Sequence, residues 1–187
     1  MENLNKNAIN NGIILAVISI AAQLIVYYAF PSIIGSLTYS LSLTLISLLI
    51  YIVFTIDLKK KIGGYWSFKD ALKGIFLMSL LGNLITNLSM FVFFKFIESD
   101  AYDKVSQIVT QNAISNLERF GVTDQNQVDQ AVDQALKQIK SIYQPDFKSF
   151  LISIGTTILI GFVMSLIFAA IFKKNPPMFA PTEESES

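Results

Sequence analysis

The chain has 187 residues, 52% of them hydrophobic and 15% charged, with a net charge of zero. A soluble domain carries about a quarter charged residues; here the charges gather in a few stretches between long uncharged runs, the pattern of a membrane protein. Without cysteine or histidine there is no disulfide, thiol nucleophile, imidazole base or common zinc ligand, and zero net charge supplies no field to attract nucleic acid.

The first apolar run is 12–30, about 19 residues, enough to cross roughly 30 Å of hydrocarbon. Gln23 is its one strongly polar member, and Tyr27 and Tyr28 fall where an interfacial aromatic belt belongs. The basic region before it is thin and no A-x-A site follows, so the run reads as a retained helix rather than a cleaved leader. A short apolar linker, 31–37, with Gly35 as its turn residue, forces an antiparallel pairing with the second run, 38–56. That run has no charge, and its serines and threonines can bond back to carbonyls four residues earlier.

The segment 57–73 is polar and holds Lys59, Lys60, Lys61, Lys69 and Lys73. Gly63-Gly64 lacks any phosphate-loop frame and reads as a turn. Tyr65-Trp66 reads as an interfacial anchor, and Ser67 as the N-cap of the third helix, with Asp70 at its third position. The third run, 71–94, carries Asn83 and Asn87 on one face.

The insert 98–146 predicts two amphipathic helices of about 20 residues each. Gly121 ends the first, Thr123 or Asp124 caps the second, and Pro145 ends it. Their stripes suit mutual packing into a hairpin. The pair Asp129 and Asp133, spaced for a cation or for acid–base work, reads as a solvated helix face. The fourth run, 150–172, carries Ser153, Thr157, Gly161, Ser165 and Ala169 as a line of small residues that permits close approach of a neighbouring helix. The tail 175–187, with three prolines and three glutamates, reads as disordered.

The expected fold is therefore all-α: an integral membrane four-helix bundle with an extracytoplasmic amphipathic helical hairpin between helices three and four. Its parts are 1–97 for the first three helices, 98–146 for the hairpin, 147–174 for the fourth helix, and 175–187 for the tail. The lysine-rich loop, the uncharged 31–37 linker, and Lys173 and Lys174 after the fourth helix together place both termini in the cytoplasm under the positive-inside rule. The insert, with eight acidic and four basic residues, then lies outside.

Apart from Lys73 at the very start of the third, no Asp, Glu, Lys or Arg lies inside the four apolar runs, where membrane enzymes and ion-coupled transporters keep theirs. The residues singled out are Gln23, Asn83, Asn87 and Gly161, as helix-packing or lipid contacts; no catalytic, cofactor or metal residue is expected.

Two segments carry a family resemblance: Asn11-Gly12-Ile13-Ile14 at the first helix, and Gly63-Gly64-Tyr65-Trp66-Ser67-Phe68-Lys69-Asp70-Ala71 opening the third. With the four-helix count and the polar insert, the chain up to Lys174 resembles the domain of unknown function 4199 family of bacterial inner-membrane proteins. The resemblance implies a four-helix membrane protein and brings no established activity. The expected function is a non-enzymatic membrane subunit or scaffold. The alternatives are an accessory to enzymes of membrane lipid or polyprenyl-linked glycan, or a small channel or transporter. Membrane lipid is an expected partner, as is a protein or a second copy met through helix four and the hairpin; no nucleic acid and no cofactor are expected.

Overall fold

The computed structural model describes residues 2–174; the tail expected to be disordered lies outside them. Six α-helices follow in chain order: α1 (Glu2–Ala29), α2 (Leu37–Lys61), α3 (Phe68–Val92), α4 (Ala101–Arg119), α5 (Gln125–Tyr143) and α6 (Phe147–Phe172). A 3₁₀ turn, Pro31–Ile33, joins α1 to α2, and α3 ends in a π-helical turn, Phe93–Ile97. Helices α1, α2, α3 and α6 are long and apolar enough to cross a membrane.

The helix starts follow their caps. Ser36, Ser67, Asp124 and Asp146 each accept a hydrogen bond from the backbone N–H three residues on, a contact that stabilises a helix by about 1 kcal/mol. Asp146 therefore opens α6 at Phe147, three residues before the apolar run begins. Between α4 and α5, Gly121 takes φ +73°. The Val122 and Gly121 amides donate to the Leu117 and Glu118 carbonyls at 3.1 and 3.0 Å, closing α4 with a Schellman turn.

Helix α1 starts ten residues before its apolar run. Leu4, Ala8, Gly12 and Ala16 repeat every four residues and are buried, so the packing face reaches well below the hydrophobic stretch. Across it lies α3, the central helix. A Cβ at Gly12 would sit 2.8 Å from the Met78 carbonyl oxygen, and one at Gly82 would sit 3.2 Å from the Gly12 oxygen. Backbone meets backbone here, as small residues allow in membrane helix pairs. On its other side α3 packs against α6.

Two buried clusters result. One, at the lysine-rich end, joins Leu4, Ala8, Leu58, Ile75, Met78 and Phe168. The other, at the hairpin end, joins Tyr27, Ile34, Met90, Phe94, Val105, Val109 and Ile139. The hairpin thus packs on itself and also docks on the bundle.

Helix α2 is held at its two ends. Thr55 and Leu58 are buried, and Tyr51 packs edge-on against Phe168 with ring centroids 4.9 Å apart. Between the ends, every residue from 41 to 49 is exposed. That stretch covers more than two turns, so no side of α2 is covered by the rest of the chain there.

Candidate functional site

The sequence candidates on α3 and α6 meet in a polar seam. Asn83 Nδ2 donates to Ser79 Oγ at 3.2 Å, and Asn87 Nδ2 to the Asn83 carbonyl at 2.8 Å. From α6, the Ser153 hydroxyl donates to Asn87 Oδ1 at 3.2 Å, and the Ser165 hydroxyl to the Gly161 carbonyl at 2.6 Å. A Cβ at Gly161 would lie 3.0 Å from Ser79 Oγ, so the glycine is what lets the two helices close at this level. The line of small residues on α6 is thus occupied within the chain. Gln23 stands apart: its amide donates to the Ser19 carbonyl of its own helix at 3.3 Å, and it takes no part in the seam.

The seam borders a partly open pocket of about 10 Å³, lined by Ser79, Asn83, Asn87, Thr157 and Gly161 and otherwise by apolar side chains such as Phe76 and Ile158. This is the room of roughly one water. Amides and hydroxyls hold no charge at neutral pH, and the geometry uses them on each other. What they do is fix the register of α3 on α6. An interhelical hydrogen bond in a membrane contributes about 0.6 kcal/mol, and up to about 1.7.

At the lysine-rich end a second polar knot ties three segments. Asn11, 1% exposed, donates to Asp57 Oδ2 at 2.9 Å and accepts from Lys61 Nζ at 3.2 Å, while Lys61 pairs with Asp57 at 2.6 Å. Trp66 is not the interfacial anchor expected of it. It is 3% exposed, and its indole N–H donates to the Phe172 carbonyl at 2.7 Å, where Lys59 Nζ also donates at 2.9 Å. Trp66 and Lys174 pair through their backbones at 2.9 and 3.1 Å. The Phe172 carbonyl at the end of α6, one of the groups a helix leaves without an internal partner, is satisfied by these two donors, and the Lys59 cation suits the negative end of a helix dipole. Tyr65 does remain exposed, with Lys174 Nζ 5.0 Å from its ring centroid.

At the hairpin end the amides are on α4. Asn112 Nδ2 donates to the Ser32 and Ile34 carbonyls at 2.9 and 2.8 Å, and Asn116 Nδ2 to the Gly35 carbonyl at 3.1 Å. The Leu37 amide donates back to Asn116 Oδ1 at 3.3 Å. Gly35, at φ +80°, lets the linker run under Val109, whose methyls would lie 3.1 Å from a Cβ there. The π turn at the end of α3 delivers Glu98 to the Tyr27 and Tyr28 hydroxyls, which donate to it at 3.1 and 3.3 Å. Lys104 bonds the same carboxylate and also pairs with Asp100 at 3.2 Å. The Lys104 ammonium holds the Glu98 carboxyl below its usual range, with the Tyr27 hydroxyl adding to this, and the two carboxylates raise Lys104 in turn. Burial pushes the Tyr143 phenol up to about 12; its ring stacks on Tyr27 at 5.9 Å.

Sequence reasoning passed over both knots. The signal for the hairpin dock is present: Val105, Val109, Asn112 and Asn116 continue one helical stripe, so asparagine replaces an apolar residue at two positions of the packing face. Among the described residues, no group of three or more Asp or Glu side chains is placed to hold a metal ion.

The family described as Protein of unknown function (DUF4199) matches residues 10–174. No curated protein and no solved structure matches the chain.

Proposed function

The chain belongs to this family of unknown function, and we propose that it serves as a non-enzymatic membrane subunit or scaffold in the bacterial inner membrane. In this reading both termini and the lysine-rich end face the cytoplasm, and the hairpin faces the other side. The observation that carries it is α2. The helix is fixed at Leu37 by Asn116 and at Asp57 by Asn11, yet 41–49 is covered by nothing in the chain. A spanning helix clamped at both ends and bare between them offers a ready surface to a helix of another subunit. The polar groups of the seam and the two knots support the same reading, because they are spent on holding the helices and hairpin in place.

The lysines support the orientation. Lys6, Lys60, Lys69, Lys73, Lys173 and Lys174 are exposed at one end of the bundle, where positive charge marks the cytoplasmic face and suits anionic lipid. A single cysteine at Gln130 on α5, labelled by an impermeant maleimide added outside intact spheroplasts, tests it; labelling only after lysis would reverse the topology.

The subunit reading is tested by gentle solubilisation from the native membrane and mass spectrometry of what co-purifies. A stoichiometric protein partner is expected. Recovery as a lone monomer under mild conditions would count decisively against it.

A further inference from the structure

We propose that the tip of the hairpin is a membrane-surface anchor, in which Phe120 enters the headgroup–acyl boundary of the bilayer that the chain spans and Arg119 meets lipid phosphate. The proposal holds whichever side of the membrane the hairpin occupies.

The placement follows from where α4 is pinned. Its first turns, at Ala101 and Val105, are buried with Tyr27, Met90 and Phe94, which lie at the hairpin ends of α1 and α3. Its last turns, at Asn112 and Asn116, bond the linker that joins α1 to α2. The two attachments are centred about 16 Å apart along the helix at 1.5 Å per residue, and their outermost residues about 22 Å. Both are ends of spanning helices on the same face of the bundle. A helix standing away from the membrane would carry its second attachment far above the first. Helix α4 therefore lies along the bilayer surface, from α3 over to the start of α2.

The tip follows directly. Phe120 comes one turn after Asn116, about 6 Å further on, past the point where α2 begins. The turn there is set by the Schellman bonds onto Leu117 and Glu118. Phe120 is 70% exposed, and Arg119 beside it is exposed as well. An aromatic ring held at membrane level with no protein around it loses its water only by entering lipid. The guanidinium next to it is the side chain best suited to a phosphodiester. The rest of the hairpin fits the same sidedness: Asp129, Gln130, Asp133, Gln134 and Lys137 of α5 are all exposed, and such a face belongs in water.

The chain has no cysteine, so a single introduced cysteine is a unique labelling site. Phe120→Cys and Gln130→Cys are spin-labelled and reconstituted in phosphatidylethanolamine–phosphatidylglycerol vesicles. Each label's collision with dissolved oxygen is compared with its collision with a water-soluble nickel complex. Oxygen is expected to dominate at 120 and nickel at 130. Phe120→Trp keeps a ring and provides the second reading. Brominated phospholipid is expected to quench its emission beyond the baseline set by buried Trp66 in the unaltered chain. A label at 120 as open to nickel as the one at 130, with no added quenching of the tryptophan variant, would overturn the proposal.

Discussion

Helices α2 and α6 are two apolar spans of nearly equal length, 25 and 26 residues, with charges only near one end of each, and the protein treats them differently. Helix α6 is seated on α3 through Gly161, Ser165 and Ala169. Helix α2 touches the bundle at its ends and is bare from 41 to 49. Hydropathy does not separate them, and neither does a line of small polar residues, since α2 has its own at Ser40 and Thr44. On α2 those hydroxyls bond back along the helix, Ser40 to the Ser36 carbonyl at 3.1 Å and Thr44 to the Ser40 carbonyl at 2.8 Å. On α6, Ser153 reaches across to Asn87, and a glycine faces Ser79. What seats a helix here is a gap wide enough for backbone approach together with a partner whose polar groups answer its own.

The largest effect is expected where that gap is filled. Gly161→Leu drives a side chain into Ser79, whose Oγ lies only 3.0 Å from a Cβ at that position. Overpacking of this kind costs about 2–3 kcal/mol, read as a lower resistance to unfolding in mixed micelles. A neutral result would mean that α6 is not seated as described. Next comes the upper hold on α2. The double variant Asn112→Ala, Asn116→Ala removes four hydrogen bonds to the 32–37 linker and is expected to lower local stability by about 2 kcal/mol. Hydrogen exchange reads it as faster exchange in 31–37 and 101–119, with α6 unchanged.

A smaller effect is expected from acid. The Glu98 carboxyl is held below its usual range by Lys104, so its contribution is complete above the ordinary carboxylate range. It is lost as the pH falls below the ordinary glutamate range and through that lowered value. Amide protection of the hairpin, corrected for intrinsic exchange, is expected to fall in that window, and Glu98→Gln is expected to remove that part of the pH dependence. The smallest effect belongs to Leu45→Ala in the bare stretch. With no contact in the chain to lose, it is expected to change the stability of the isolated protein by less than about 0.5 kcal/mol. A loss like that of a core leucine would show that α2 is packed after all.

The spans, the turn at Gly121, the cap at Ser67, a cap at Thr123 or Asp124, the face shared by Asn83 and Asn87, and the line of small residues through Gly161 were legible in the sequence, because each rests on a local periodicity or a turn requirement. The first ten residues of α1 were not. Their packing face is Leu4 and Ala8 among polar neighbours, and a hydropathy window dilutes so narrow a stripe. The role of Trp66 was hidden for a different reason. A tryptophan beside a spanning helix fits an interfacial belt, and only the arrival of the α6 terminus, a hundred residues later, shows that its N–H closes a helix end. Asn11 with Asp57 and Lys61 is hidden in the same way, since long-range polar contacts leave no spacing rule in the chain.

The most direct measurement is photo-crosslinking from α2 in the native membrane. A benzoylphenylalanine is placed at Leu45, with another at Ile75, a buried residue of α3, as the internal control. The account predicts one discrete protein adduct from position 45 and none to other chains from position 75. Adducts from position 45 to lipid alone would contradict it and would leave α2 as a helix that faces only the bilayer.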